Sequence, residues 1–246
     1  MDTIPALPSL RPWSRNALNR CTGDMIPDLW KTNDVITFLA DLGMYHPGQV
    51  NSLDDTEKEQ VRKYRTDYFK KRFILSRSIL KQVLQPVLGA QDPPDIRAGR
   101  ETGGRIILHH RPDIGISLSY SGPVLVITVA KEKIGSDIET VRSIDIRKTR
   151  SFPFLNDSTC RDGKERSRNF LHRWTLVEAC AKLHDKNPLS LLDPGILFHD
   201  THFVSYSLDN HAILSLAYGR EQFTDSLVWL DRSVQGEASD ILSGTM

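Results

Sequence analysis

Three short segments follow one another almost without interruption, at residues 114–119, 124–129 and 134–139. The middle one, Val124-Leu125-Val126-Ile127-Thr128-Val129, is a continuous apolar run, the outer two mix Ile or Leu with small and polar residues, and the first two are joined at Tyr120-Ser121-Gly122-Pro123. Runs of this kind read as β-strands. Residues 203–208 and 212–217, separated by Asp209-Asn210, read as a hairpin, and Leu227 to Leu230 as a further edge strand. Residues 28–39 suggest a strand at Asp28-Leu29-Trp30 followed by a short amphipathic piece.

Two helical stretches accompany these strands. Residues 56–88 are helical in pattern, with acids in the first turn and a break near Thr66-Asp67. The second part carries Phe69, Phe73, Leu75, Ile79, Leu80, Val83 and Leu84, a stripe broad enough to lie against a sheet, and Pro86 and Gly89 close it. Gly103-Gly104 opens a turn before Ile106. A second helix is expected over 169–183. The pattern predicts an α/β (α+β) fold of two similar, pseudo-twofold-related lobes, each a helix on a small, mostly antiparallel sheet. The divisions are an irregular arm over 1–27, lobes over 28–131 and 132–232, and a flexible tail over 233–246.

Composition excludes several classes. Lys+Arg 32 against Asp+Glu 31 leaves a charge of +1, so no global field draws the chain to nucleic acid or a membrane surface. No apolar stretch approaches the roughly 20 residues of a membrane span. Pro5, Pro8 and Pro12 interrupt any signal-peptide core, and Arg11, Arg15 and Arg20 read as part of a mobile arm. Cys21, Cys160 and Cys180 are odd in number and far apart, which suits a reducing cytoplasm. A cytoplasmic monomer is the expectation. The eight histidines show no metal-ligand spacing.

The chemistry concentrates in two segments, Gly135-Ser136-Asp137-Ile138-Glu139 and Trp174-Thr175-Leu176-Val177-Glu178-Ala179-Cys180-Ala181-Lys182. Residues two apart on a strand share a face, as do residues four apart on a helix, so Asp137 pairs with Glu139 and Glu178 with Lys182. If the faces meet, three carboxylates stand beside one ammonium. Hard oxygen ligands of this kind suit Mg²⁺. The alternatives are solvated strand-end charges and an ordinary helix ion pair worth about 0.3–0.5 kcal/mol.

These segments, with Lys71-Arg72-Phe73-Ile74-Leu75-Ser76-Arg77, Gly104-Arg105 and Ser119-Tyr120-Ser121-Gly122, occur in an order that resembles the 4'-phosphopantetheinyl transferases of the surfactin-activating type. The resemblance spans residues 28–232. It implies Mg²⁺-dependent transfer of 4'-phosphopantetheine from coenzyme A to a serine of an apo acyl, polyketide or peptidyl carrier protein. It further implies metal ligands Asp137, Glu139 and Glu178, catalytic roles for Glu178 and Lys182, and coenzyme A contacts from Arg72, Arg100, Arg105, Ser119 and Tyr120. Two positions depart from the family. Tyr120 stands where a histidine reaches the 3'-phosphate, and Val177 replaces a lysine. Lys186-Asn187-Pro188-Leu189 also replaces the usual Gly-x-Gly-Leu. These departures bear on cofactor affinity rather than on the metal centre, and they frame the alternative of a weak or inactive relative that binds coenzyme A or carriers.

Each candidate has a plainer reading. Arg72 lies in a basic run that by default is a solvated helix edge, and Ser119 and Tyr120 are possible turn residues. Arg105 follows a glycine pair where backbone can approach a ligand and a guanidinium can grip phosphate in bidentate fashion. Trp174 reads as core packing. Phe152, Phe154 and Leu155, in an aperiodic stretch over 151–168, are either tucked beneath the loop or presented to the carrier, and the resemblance favours presentation.

Overall fold

The computed structural model describes residues 7–15, 20–45, 52–89, 95–101, 104–145, 153–155 and 162–231. The first half comprises strands β1 (Leu10–Trp13) and β2 (Arg20–Cys21), helix α1 (Ile26–Thr32), strand β3 (Val35–Asp41), and helices α2 (Asp55–Lys63) and α3 (Asp67–Leu88). Strands β4 (Ala98–Arg100), β5 (Ile106–Leu108), β6 (Gly115–Ser121), β7 (Val124–Ala130) and β8 (Ile134–Thr140) follow. Helix α4 (Gly163–His184), the short α5 (Pro194–Leu197) and strands β9 (His202–Leu208), β10 (Ala212–Tyr218) and β11 (Asp225–Leu230) complete the order.

The strands form two unequal sheets, β1-β9-β10-β8 and β2-β11-β3-β7-β6-β5-β4. Most pairings are antiparallel; β1–β9, β11–β2 and β11–β3 are parallel. The fold is mixed α/β. No helix among the described residues is long and apolar enough to cross a membrane.

Local chemistry sets the helix boundaries. Asp54 and Glu57 form a reciprocal capping box at the start of α2. Thr66 caps α3 where the pattern breaks, and Gly89 ends it in the left-handed conformation; Pro86 sits within the last turns. Leu75, Ile79, Leu80, Val83 and Leu84 of α3 bury against Ile36, Phe38, Ile116, Leu125 and Ile127 of the seven-stranded sheet. Each such side chain contributes about 1.5–3 kcal/mol. On the other side of the molecule, α4 packs Leu176, Val177 and Cys180 against Ile213, and Ala179 and Leu183 against Ala217.

Gly135 lets α4 settle on β8. A Cβ built there would stand 1.8 Å from the carbonyl oxygen of Ala179, so only glycine admits this approach. The sheets themselves share a core in which Val35, Leu39, Val126 and Trp229 of the larger one meet Ile138, Leu214 and Leu216 of the smaller.

Several expectations are corrected. Asp28-Leu29-Trp30 lies in helix α1, ahead of strand β3, because Pro27 and Asp28 fill the first turn of a helix while 35–39 is the β-branched run. Within 1–27, residues 10–13 and 20–21 are strands, supplied with partners by the edges of β9 and β11; Pro12 is tolerated on such an edge. β11 joins β3 in the larger sheet, so 132–232 is not a self-contained lobe. α4 starts at Gly163 because Asp162 caps the Lys164 N–H, and its first turns are polar and leave no apolar periodicity. Phe154 and Leu155 are buried beneath α4 with Leu171, Leu176 and Leu197, so they are core and not a presented surface. Phe152 and the tail over 233–246 lie outside the described residues.

Candidate functional site

The close approach at Gly135 brings the polar edge of α4 over β8. Lys182 extends from the helix to donate to the Ser136 carbonyl at 2.9 Å and to Asp137 Oδ1 at 2.8 Å. Its ion pair is thus with the strand, across the two segments, and not merely along its own helix. Asp137 is 7% exposed, and a lysine contact at this depth is screened far less than a surface pair. Ser119 Oγ donates to the same Oδ1 at 2.7 Å.

Glu178 lies one turn before Lys182. Burial raises its carboxyl above the usual carboxylate range, Asp137 and Glu139 raise it further, and Lys182 offsets only part of this. The four residues therefore form one electrostatic unit with more negative than positive charge. Glu139 pairs outward with Arg142, a residue absent from the sequence-based set.

The donor set is entirely carboxylate oxygen, the type that Mg²⁺ takes, and the excess negative charge on Glu178 is what a cation would relieve. Among the described residues no three His, Cys, Asp or Glu side chains converge as a ready-made metal-binding group. Two of the three acids are turned to a cation, Asp137 to Lys182 and Glu139 to Arg142.

The other candidates divide into two groups. Arg100 and Arg105 line a cavity of about 60 Å³ together with Ser117 and Lys182. Arg105 also holds the end of α4: its N–H donates to Asp185 Oδ1 at 3.2 Å, its guanidinium reaches the Leu183 carbonyl at 3.4 Å, and it pairs with Glu101. Ser119 is committed to Asp137, as above. Arg72 stacks on the Tyr120 ring, 3.9 Å from its centroid, and donates to the Tyr68 hydroxyl at 3.4 Å.

Arg77 is the residue that sequence reasoning missed. It is 4% exposed, its Nη1 has no hydrogen-bond partner, and it borders a 440 Å³ cavity with Gln60, Tyr64, Phe73 and Arg100. Burial pushes its guanidinium down, with Glu57 opposing and Arg100 adding to the shift. A buried, incompletely satisfied guanidinium beside a second arginine and two aromatic rings is suited to an anionic group attached to a planar one. The one available signal was its position five residues after Arg72 in the run ending Ser76-Arg77.

Comparison with known proteins gives no matching family model and no matching curated protein.

Proposed function

We propose that this chain transfers the 4'-phosphopantetheine group of coenzyme A to a serine hydroxyl of an apo carrier protein. The observation that supports it is the meeting of Lys182 with Asp137 across the α4–β8 contact, with Glu178 and Glu139 coupled to them by charge. Acyl, polyketide and peptidyl carriers are the candidate acceptors, with the protein working as a cytoplasmic monomer.

In this reading the carrier serine Oγ attacks the phosphorus that bears the pantetheine arm. The P–O bond to the second phosphate breaks, and 3',5'-ADP leaves with the bonding pair. Glu178 takes the serine proton, directly or through water. Lys182 faces the charge that develops on the departing phosphate. Asp137, Glu139 and Glu178 would hold Mg²⁺, which when bound would supply neutralisation of the pyrophosphate charge. The arginine-lined cavity, with Arg77, Arg100, Tyr64 and Phe73, accepts the 3'-phosphate and base, and Arg77 restores positive charge that Tyr120 does not bring.

A second reading, a weak or inactive relative that binds coenzyme A or carriers, is favoured by the turning of Asp137 and Glu139 to Lys182 and Arg142 and by the stacking of Arg72 on Tyr120. One experiment separates the two. The protein is incubated with coenzyme A, Mg²⁺ and a panel of apo carriers, and the carriers are weighed. The transferase reading expects one carrier to gain the mass of phosphopantetheine, and Asp137→Ala and Glu178→Ala to abolish that gain while retaining the native circular dichroism. Full turnover in excess EDTA, or in both variants, overturns the metal assignment; coenzyme A binding with no modified carrier favours the second reading.

A further inference from the structure

Strand β6 carries serine at positions 117, 119 and 121, the period that places all three on one face. That face meets β8, which has a sheet neighbour, β10, on one side only. The serine hydroxyls serve the other side. Ser117 Oγ accepts the Ser136 N–H at 2.8 Å, Ser119 Oγ accepts the Ile138 N–H at 3.2 Å, and Ser121 Oγ accepts the Thr140 N–H at 2.6 Å. Backbone donors that an edge strand would leave unpaired are thereby satisfied by side chains of the other sheet. The seam between the two sheets is a ladder of three hydroxyls.

The three rungs differ in where they can donate. Ser117 lies 3.4 Å from the Ser136 carbonyl, and Ser121 lies 2.7 Å from Thr140 Oγ1. Ser119 alone donates to a carboxylate, Asp137 Oδ1, at 2.7 Å. Lys182 donates to that same oxygen. Bonds to an ionised acceptor are the strong class, and two on one oxygen fix the rotamer of the carboxylate and leave Oδ2 as the oxygen that neither donor takes.

We propose that Ser119 is a positioning residue. Through its single hydroxyl it joins the docking of the two sheets, sensed at the Ile138 N–H, to the orientation of Asp137 against Lys182. It acts through Asp137, whereas the family resemblance would have it touch the cofactor. Its consequence for metal binding rests on the transferase reading; its consequence for the side-chain geometry does not.

The ladder contains its own controls. Ser117→Ala, Ser119→Ala and Ser121→Ala each remove one rung in the full chain, and each should lower thermal stability, Ser119→Ala the most because it also loses the bond to Asp137. Crystal structures of the variants should show Asp137 rotated and its contact with Lys182 lost in Ser119→Ala alone. Mn²⁺ titration followed by electron paramagnetic resonance, with coenzyme A present, should show affinity weakened about 10–100-fold in that variant, the usual cost of losing a partner behind a metal ligand. The Ser117→Ala and Ser121→Ala values should stay near wild type, and Ser119→Thr, which keeps the hydroxyl, should recover both readouts. An unmoved Asp137–Lys182 pair in Ser119→Ala, or equal Mn²⁺ losses in all three, overturns the assignment. Wild-type protein that takes up no Mn²⁺ would defeat the metal reading, and the crystal structures would still decide the role of Ser119.

Discussion

Helices α3 and α4 are each 22 residues long, and each lies on one of the two sheets. They treat buried polar groups in opposite ways. On α3, Lys81 is 0% exposed and its ammonium meets Asp54 Oδ2 at 3.1 Å and Glu57 Oε2 at 2.7 Å, both from the start of α2. Asp54 is driven up by burial, yet the Glu57 N–H and Lys81 hold its carboxyl below the usual range. Glu57 lies deeper, and there burial outweighs the same lysine and raises the carboxyl. On α4, Glu178 is raised by burial and by two further acids, and the nearby lysine is spent on Asp137. One helix uses its charge to fasten a neighbour. The other keeps charge in excess at the α4–β8 contact, where perturbed carboxyls are a mark of functional sites.

The largest expected effect breaks the fastened side. Lys81→Ala leaves Asp54 with no cation and Glu57 with only the longer contact to Arg77, at 3.8 Å. Removing one partner of a buried pair costs about 3–5 kcal/mol. Urea unfolding should show an unfolding free energy lower by that amount, through a lower midpoint with little change in slope. A change within experimental error would mean that the Lys81 ion pairs do not hold α2 to α3.

Acid reveals the same contrast in a different residue. His172 on α4 is 3% exposed with no partner at Nε2; burial, then Arg173 and Arg168, push it from 6.5 down to about 4. The unfolded chain binds a proton at this residue before the folded chain does. Its contribution is therefore intact above pH 6.5 and is lost as pH falls toward 4, a loss of about 3 kcal/mol. Stability measured by urea at pH 7 and pH 4.5 should fall less in His172→Leu than in wild type. Equal falls would show that carboxylates alone govern acid unfolding.

Much of this architecture is legible in the sequence because it rests on local patterns. The break at Thr66, the strands over 114–139 and the hairpin at Asp209-Asn210 follow from caps, β-branched runs and residues that accept positive φ. The spacings of two and four pair Asp137 with Glu139 and Glu178 with Lys182, and the contact of Lys182 with Asp137 shows that the two segments meet. What stayed hidden depends on distant partners. Nothing local shows that β11 returns to β3, or that the arm donates strands to two sheet edges. Lys182 looked like the partner of Glu178 because helix spacing is visible, whereas its reach to Asp137 exists only once Gly135 admits the helix. Arg77 entered only as the last residue of the Lys71–Arg77 segment, and its place beside Arg100 on the cavity that α2, α3 and β4 line is a matter of packing. Phe154 and Leu155 had no periodicity to mark them as core.

The subtlest test sets two carboxyls against each other by changing only their charge. Asp54→Asn keeps a good N-cap for α2, so its effect reports the loss of the ion pair with Lys81. The folded-state carboxyl of Asp54 sits below its ordinary value, which means that its charge stabilises the fold at neutral pH and that this contribution vanishes as pH falls through the carboxylate range. Asp54→Asn should therefore lower the Tm at pH 7. Glu178 has the opposite sign. Its folded-state carboxyl sits above its ordinary value, so ionisation as pH rises costs the fold stability, and the cost is fully present above that raised value. Glu178→Gln should raise the Tm by a few degrees at pH 8 in metal-free buffer, and the gain should shrink at acidic pH, where the wild-type carboxyl is itself neutral. Adding Mg²⁺ and coenzyme A should stabilise wild type more than Glu178→Gln, because a cation relieves in the native site the repulsion that the substitution has already removed. Should both substitutions move the Tm in the same direction at pH 8, the distinction between a fastening charge on α3 and an unspent one on α4 would fail.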